Sequence, residues 1–212
     1  GGHGRGAERI MAAEAAYMQG RFTDAQIALE SAYAQIEGNG QVNMALCCDF
    51  LAWRLALHTD AALRCTPEVR RAELLRQHNA SWLQLWNGVS AYCHAVRGET
   101  ERIPEVFARH RLAEVNTLAP GRPMVEMIEN QVYLAQGAYA KVIGRSAELL
   151  AVCGGMHYAL VALHLRVQTA AAYAQLGKRD EARAWLAEAL ADAAPDGFVM
   201  PFVENYDALA SL

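Results

Sequence analysis

Glycines at regular distance punctuate this chain: Gly98, Gly137 and Gly177 follow one another at 39 and 40 residues, and Gly20 precedes Gly98 by 78, twice that interval. Each separates two stretches with apolar residues at helical spacing. A chain broken at such a period must fold as stacked helix-turn-helix units, because one pair of short helices cannot bury its apolar faces alone.

Residues 163–190, LHLRVQTAAAYAQLGKRDEARAWLAEAL, show the unit most clearly. Small residues are required where two helices touch closely, and glycine where the first helix ends in left-handed backbone. Ala170, Ala182 and Ala189 supply the first, Gly177 the second, and Tyr173 stands one turn before the break. In the second half, Leu186 and Leu190 continue the buried stripe. The pattern is that of a tetratricopeptide (TPR) unit.

Five such units are expected, over residues 7–38, 41–78, 81–119, 123–153 and 156–194, preceded by a flexible lead or expression scar at 1–6 and closed by a capping helix at 198–212. In the first unit Thr23 and Gln26 have the form of a capping box, and Gly38-Asn39-Gly40 ends the second helix. Thr66-Pro67 opens the second helix of unit two, with threonine as N-cap and proline at the first helical position. Unit three passes Trp82, Trp86 and Tyr92, breaks at Gly98, and continues in a helix from Pro104 to about Leu118. Pro120-Gly121-Arg122-Pro123 is a loop, and the helix after Tyr139 is expected to run to Val152 and stop at Cys153-Gly154-Gly155. The expected fold is all-α: a right-handed superhelical solenoid of ten or eleven helices without strands. HEAT and armadillo units have a similar period but do not require the glycine and small-residue signature of the inner turn.

Composition excludes several functions. The net charge is −4 with scattered basic residues, so the cationic footprint that grips phosphate backbones is missing and direct contact with nucleic acid is not expected. No run of about 18 apolar residues suggests a membrane span. Five cysteines, odd in number and without a CxxC pair, argue against a disulfide framework or a four-thiolate zinc site and for a reducing cytoplasm, where the sequon at Asn79 has no role. Because the chain starts at glycine rather than methionine, it reads as a piece of something longer.

Forty-residue alanine-rich units followed by Pro195-Asp196-Gly197-Phe198-Val199-Met200-Pro201-Phe202 resemble the sensor region of MalT-like, ATP-dependent LuxR-type transcription activators. In that family a Gly-aromatic-x-x-Pro/Arg-Phe stretch closes the repeats, which follow a nucleotide-binding module and precede a DNA-binding helix-turn-helix. The resemblance implies an effector-sensing domain whose inducer shifts the full protein between resting and multimerising forms, so homo-oligomers are among the assemblies it implies. This chain contains neither GxxxxGK[ST] nor a basic recognition helix, so the family's ATPase and DNA-binding activities, and any cofactor, are not expected here.

In a TPR solenoid the first helix of each unit lines the concave surface. Counting back from the turn glycines places Glu14, Tyr17, Tyr92 and Gln131 there, and the corresponding places of the second unit, which lacks the glycine, add Asp49 and Trp53. Flat aromatic faces beside carboxylates and amides suit a sugar, a cationic small molecule or an extended peptide. Aromatic residues on alanine-rich helices equally serve as packing between helices, and the groove expectation fails if Trp53 and Tyr92 lie there.

Other chemistry is sparse. His157 and His164, with Cys153 before them, could share a helix face but lack the further ligand a metal needs. Cys47 and Cys48 are expected to be buried, and Glu105, Arg109, His110 and Glu114 to form a charged helix surface. No nucleophile stands with a base and an orienting group, so catalysis is not expected. Two classes remain: an inducer-sensing domain, or a stand-alone scaffold that captures a peptide or helix in the same groove.

Overall fold

The computed structural model describes residues 6–36, 42–78, 80–115 and 121–212. Residues 1–5 of the lead, the Gly38-Asn39-Gly40 stop, Asn79, the expected helix end near Leu118 and the first residue of the Pro120 loop lie outside them. Among the described residues the chain is helical, without strands, and carries twelve α-helices. It packs as two compact units, 1–86 and 87–212, and the boundary falls inside one helix.

The first unit contains α1 (Ala7–Met18), α2 (Phe22–Ile36), α3 (Val42–Leu55), α4 (Pro67–Arg76) and the start of α5 (Ala80–Val96). Helix α1 packs on α2 and α3, α2 on α3, and α3 on α4. Close approach of α1 and α2 is permitted by Ala13, Ala16, Ala25 and Ala32, all buried. Leu46, Leu51, Leu55 and Leu74 fill the interior around α3 and α4. Thr66 caps α4 as its sequence implies, its hydroxyl accepting from the Val69 N–H at 3.4 Å. Thr23 does not cap α2: the Arg21 carbonyl already accepts from the Ala25 N–H, so the helix starts at Phe22 and Thr23 lies in its first turn.

The second unit contains the rest of α5, then α6 (Glu105–Ala108), α7 (Arg122–Ala135), α8 (Tyr139–Met156), α9 (Ala159–Gln175), α10 (Arg179–Ala193), α11 (Met200–Val203) and α12 (Tyr206–Leu209). Helix α9 packs on α7, α8, α10, α11 and α12. One core joins Tyr92, Phe107, Ile128, Val132 and Leu165; another joins Leu163, Val167, Ala170, Ala189 and Leu209.

The four turn glycines share one geometry, with φ between +71° and +74°. At each, the next residue's N–H bonds the carbonyl five residues back: Arg21 to Ala16, Glu99 to His94, Ala138 to Tyr133 and Lys178 to Tyr173. This is the Schellman closure, which requires left-handed backbone and therefore selects glycine.

Three helix lengths differ from expectation. The helix expected from Pro104 to Leu118 is the four-residue α6, followed by a 3-10 turn Leu112–Glu114. His110 adopts φ +55°, and the Arg111 N–H closes on the Val106 carbonyl, which ends the helix early. Helix α8 runs through Gly154 and Gly155 and stops at His157, φ +56°, because two glycines weaken a helix by about 1 kcal/mol each without breaking its hydrogen bonds. The single expected capping helix is two four-residue helices divided at Glu204-Asn205.

Candidate functional site

Four of the six candidate residues belong to the first unit, on α1 and α3. Glu14 is partly exposed and accepts a hydrogen bond from Arg54 at 2.6 Å. The same guanidinium lies 4.5 Å from the Tyr17 ring centroid. Tyr17 is fully buried, beside Phe22 and His58, whose rings stack on each other at 5.8 Å. A carboxylate beside an aromatic face suits a cation, and here the cation is Arg54 of the chain itself.

Asp49 is also fully buried. Its carboxylate accepts from the Tyr33 hydroxyl at 2.7 Å and from Arg70 Nε at 2.5 Å. Burial pushes its carboxyl up, and the hydrogen bonds from Arg70 and Tyr33 pull the other way. A buried carboxylate needs such a partner, since taking an isolated one out of water costs several kcal/mol. Trp53 is 4% exposed and donates from Nε1 to the Cys65 carbonyl at 2.9 Å, fixing the connection between α3 and α4.

Tyr92 and Gln131 belong to the second unit, on α5 and α7, each 4% exposed. The Tyr92 hydroxyl donates to the Glu204 carboxylate, and the Tyr92 ring meets His164 edge-on at 6.3 Å. Gln131 Nε2 donates to Asn205 Oδ1 at 3.1 Å, while Gln131 Oε1 accepts from Gln168 Nε2 at 3.0 Å. Asn205 Nδ2 turns back to the Pro201 carbonyl at 2.9 Å. Short helices α11 and α12, which pack on α9, are thus pinned to α5 and α7 by a buried phenol, carboxylate and amides.

The open aromatic groove expected from these six residues is corrected by their burial. Tyr17, Asp49, Trp53, Tyr92 and Gln131 are inside, bonded to internal partners, and only Glu14 keeps appreciable solvent contact. The physical reason is that α1 packs against α3 and α7 against α9, so side chains on their facing sides fill the space between helices. A surface cavity of about 170 Å3 in the first unit is lined instead by Gln26, Leu29, Glu30, Tyr33, Leu55 and Arg64 among others.

Other sequence expectations fall as follows. Cys48 is buried and Cys47 exposed, the two adjacent helical side chains pointing about 100° apart. Burial pushes the Cys48 thiol up to about 12, so it stays protonated. His157 ends α8 at the surface and His164 is buried on α9, so the two do not share a helix face. Among the described residues no cluster of three metal-binding side chains forms. Arg109 and Arg111 do pair with Glu105 and Glu114 at the surface.

His110, expected on that charged surface, turns inward. Its ring stacks on Tyr133 at 3.8 Å, Nδ1 lies 3.3 Å from Glu129 Oε1, and Nε2 lies 2.7 Å from Gln136 Oε1. Arg145 bonds both Glu126 and Glu129. Burial pushes the Glu129 carboxyl up to about 7, and the charge of Arg122 pulls the other way. Glu129-Asn130-Gln131, three consecutive polar residues all buried in α7, is the sequence signal that could have marked this region.

Comparison with protein-family models, with curated proteins and with solved structures finds no match in any of the three.

Proposed function

We propose that this chain is a non-catalytic effector-sensing and interaction domain of a MalT-like, LuxR-type transcription regulator, its helix pairs stacked as a right-handed solenoid of TPR-like units. The observation that carries this reading is the shared turn: four glycines have the same left-handed φ and the same carbonyl closure, and at Gly20, Gly137 and Gly177 they join consecutive helices that pack on each other. The family assignment rests on the resemblance carried by residues 195–202 and on the alanine-rich period. DNA contact is assigned to a helix-turn-helix elsewhere in such a regulator, the setting to the cytoplasm, and the ligand to a small inducer or a protein segment.

A second observation favours the interaction side. On α5 and α7 the structure holds a short stretch of polypeptide by buried hydrogen bonds from Tyr92 and Gln131, which is how a peptide-binding scaffold works. A stand-alone scaffold is therefore the alternative.

Thermal unfolding of the purified chain against sugars, amines and other small metabolites tests the sensing reading. A ligand at about 100 times its Kd raises stability by about 2.7 kcal/mol, a readily visible shift. A panel without any shift sinks the inducer reading and leaves the scaffold.

A further inference from the structure

Building on the interaction-domain reading, we propose that the C-terminal segment 198–209 is an exchangeable ligand of the face formed by α5, α7 and α9, and that its competitor there is the same segment of a second copy of this chain. Helices α11 and α12 have four residues each, far below the length at which a helix holds itself together, so their order comes from docking. They are tethered to α10 through the 3-10 turn Ala194–Asp196 and Gly197, whose φ of +65° makes a single-residue hinge.

The anchors are specific. A carboxylate followed by an amide, Glu204-Asn205, meets Tyr92 and Gln131, and Pro201 presents the carbonyl that orients the amide. Gln168 braces Gln131 from below, and its own Oε1 is buried without a hydrogen-bond partner. The outward side of the docked segment exposes Val199, Val203 and Tyr206, apolar area that docking in place does not bury. A second copy carries the same anchors, so exchange preserves every contact and replaces only the tether with association.

Hydrogen exchange on the intact chain is the first test. Amides of 200–209 should exchange by local opening, about 100-fold or more faster than those of Val167–Thr169 in α9. Equal protection would show a permanent part of the core and overturn the proposal. The second test uses a fluorescent peptide of residues 198–212 against the wild type and against the double variant Glu204→Ala, Asn205→Ala. The weakened variant should bind the peptide about tenfold tighter than wild type, and adding Gln131→Ala should abolish binding. No binding to a folded variant at about 100 μM, or equal binding to both proteins, overturns it. Should the double variant fail to fold, Glu204→Gln takes its place, keeping size while removing the charged acceptor. Light scattering on concentrated wild type should detect a dimer that excess peptide dissolves; a monomer throughout overturns the second copy as occupant. A small-molecule hit in the thermal panel together with a fixed segment would leave the sensing reading standing and remove this one.

Discussion

The Tyr92 hydroxyl donates to the Glu204 carboxylate across 112 residues of sequence, tying the middle of the chain to a segment near its end. Both side chains are buried, so the bond stabilises the site chiefly by what its loss would expose.

Tyr92→Phe removes the donor and leaves a buried carboxylate short of one hydrogen bond. The expected cost is about 1 to 3 kcal/mol, and Glu204→Gln in the same background should return part of it. Urea unfolding of the two single variants and the double variant measures the coupling. Additive effects would show that the pair does not interact.

Asn130 is fully buried on α7 with neither amide atom bonded to protein. It stands seven residues before its turn glycine, where Ala13, Ala91 and Ala170 stand in the other glycine-marked units, each fully buried. Asn130→Ala should therefore stabilise the protein by about 1 kcal/mol, seen as a higher urea midpoint at unchanged m-value. A loss of stability would mean that the amide is satisfied by a buried water.

Glu129 is buried beneath Arg145 and His110. Removing the guanidinium in Arg145→Met takes one cation from the carboxylate while Arg122 remains, so burial raises the folded-state pKa further above the unfolded one. The native state then binds the proton more tightly, so stability is fully present at low pH and lost as pH rises through the folded pKa, in the wild type about 7. The variant should lose about 1 kcal/mol more than wild type between about pH 6 and 8. Adding Glu129→Gln should flatten that difference, which ties it to Glu129. An unchanged slope would assign the pH dependence to groups other than Glu129.

Backbone conformation makes opposite predictions at two helix ends. Gly177 has φ +72° and open space around it, so Gly177→Ala meets only backbone strain and should cost about 1 kcal/mol. His157 is exposed with φ +56°, and His157→Gly should gain about 0.5 kcal/mol, the relief of strain exceeding the added freedom of the unfolded chain. Denaturant midpoints of the two variants should move in opposite directions.

Much of the secondary structure was legible because it obeys local rules. The turn glycines, the Thr66-Pro67 start and the alanine positions specify backbone and close approach wherever the chain goes next. The stops at His110 and His157 were not, since histidine carries no left-handed preference comparable to glycine's and reaches that backbone only where packing holds it. For the candidate residues, a carboxylate beside an aromatic ring was read as a seat for a cation, and Arg54 sits there. Tyr92 and Gln131, expected on an open groove with the other four, are instead occupied by Glu204 and Asn205 of the same chain.

The sequence by itself determined an all-helical chain, the places where helix pairs turn and which small residues let them touch. These follow from periodicity and from the φ each residue tolerates, which are local properties. Only the tertiary structure decided which side chains remain open to a partner. Burial and hydrogen bonding depend on residues brought together from distant positions, as when Asn205 arrives at Gln131 across 74 residues, and spacing along one helix carries no record of that meeting.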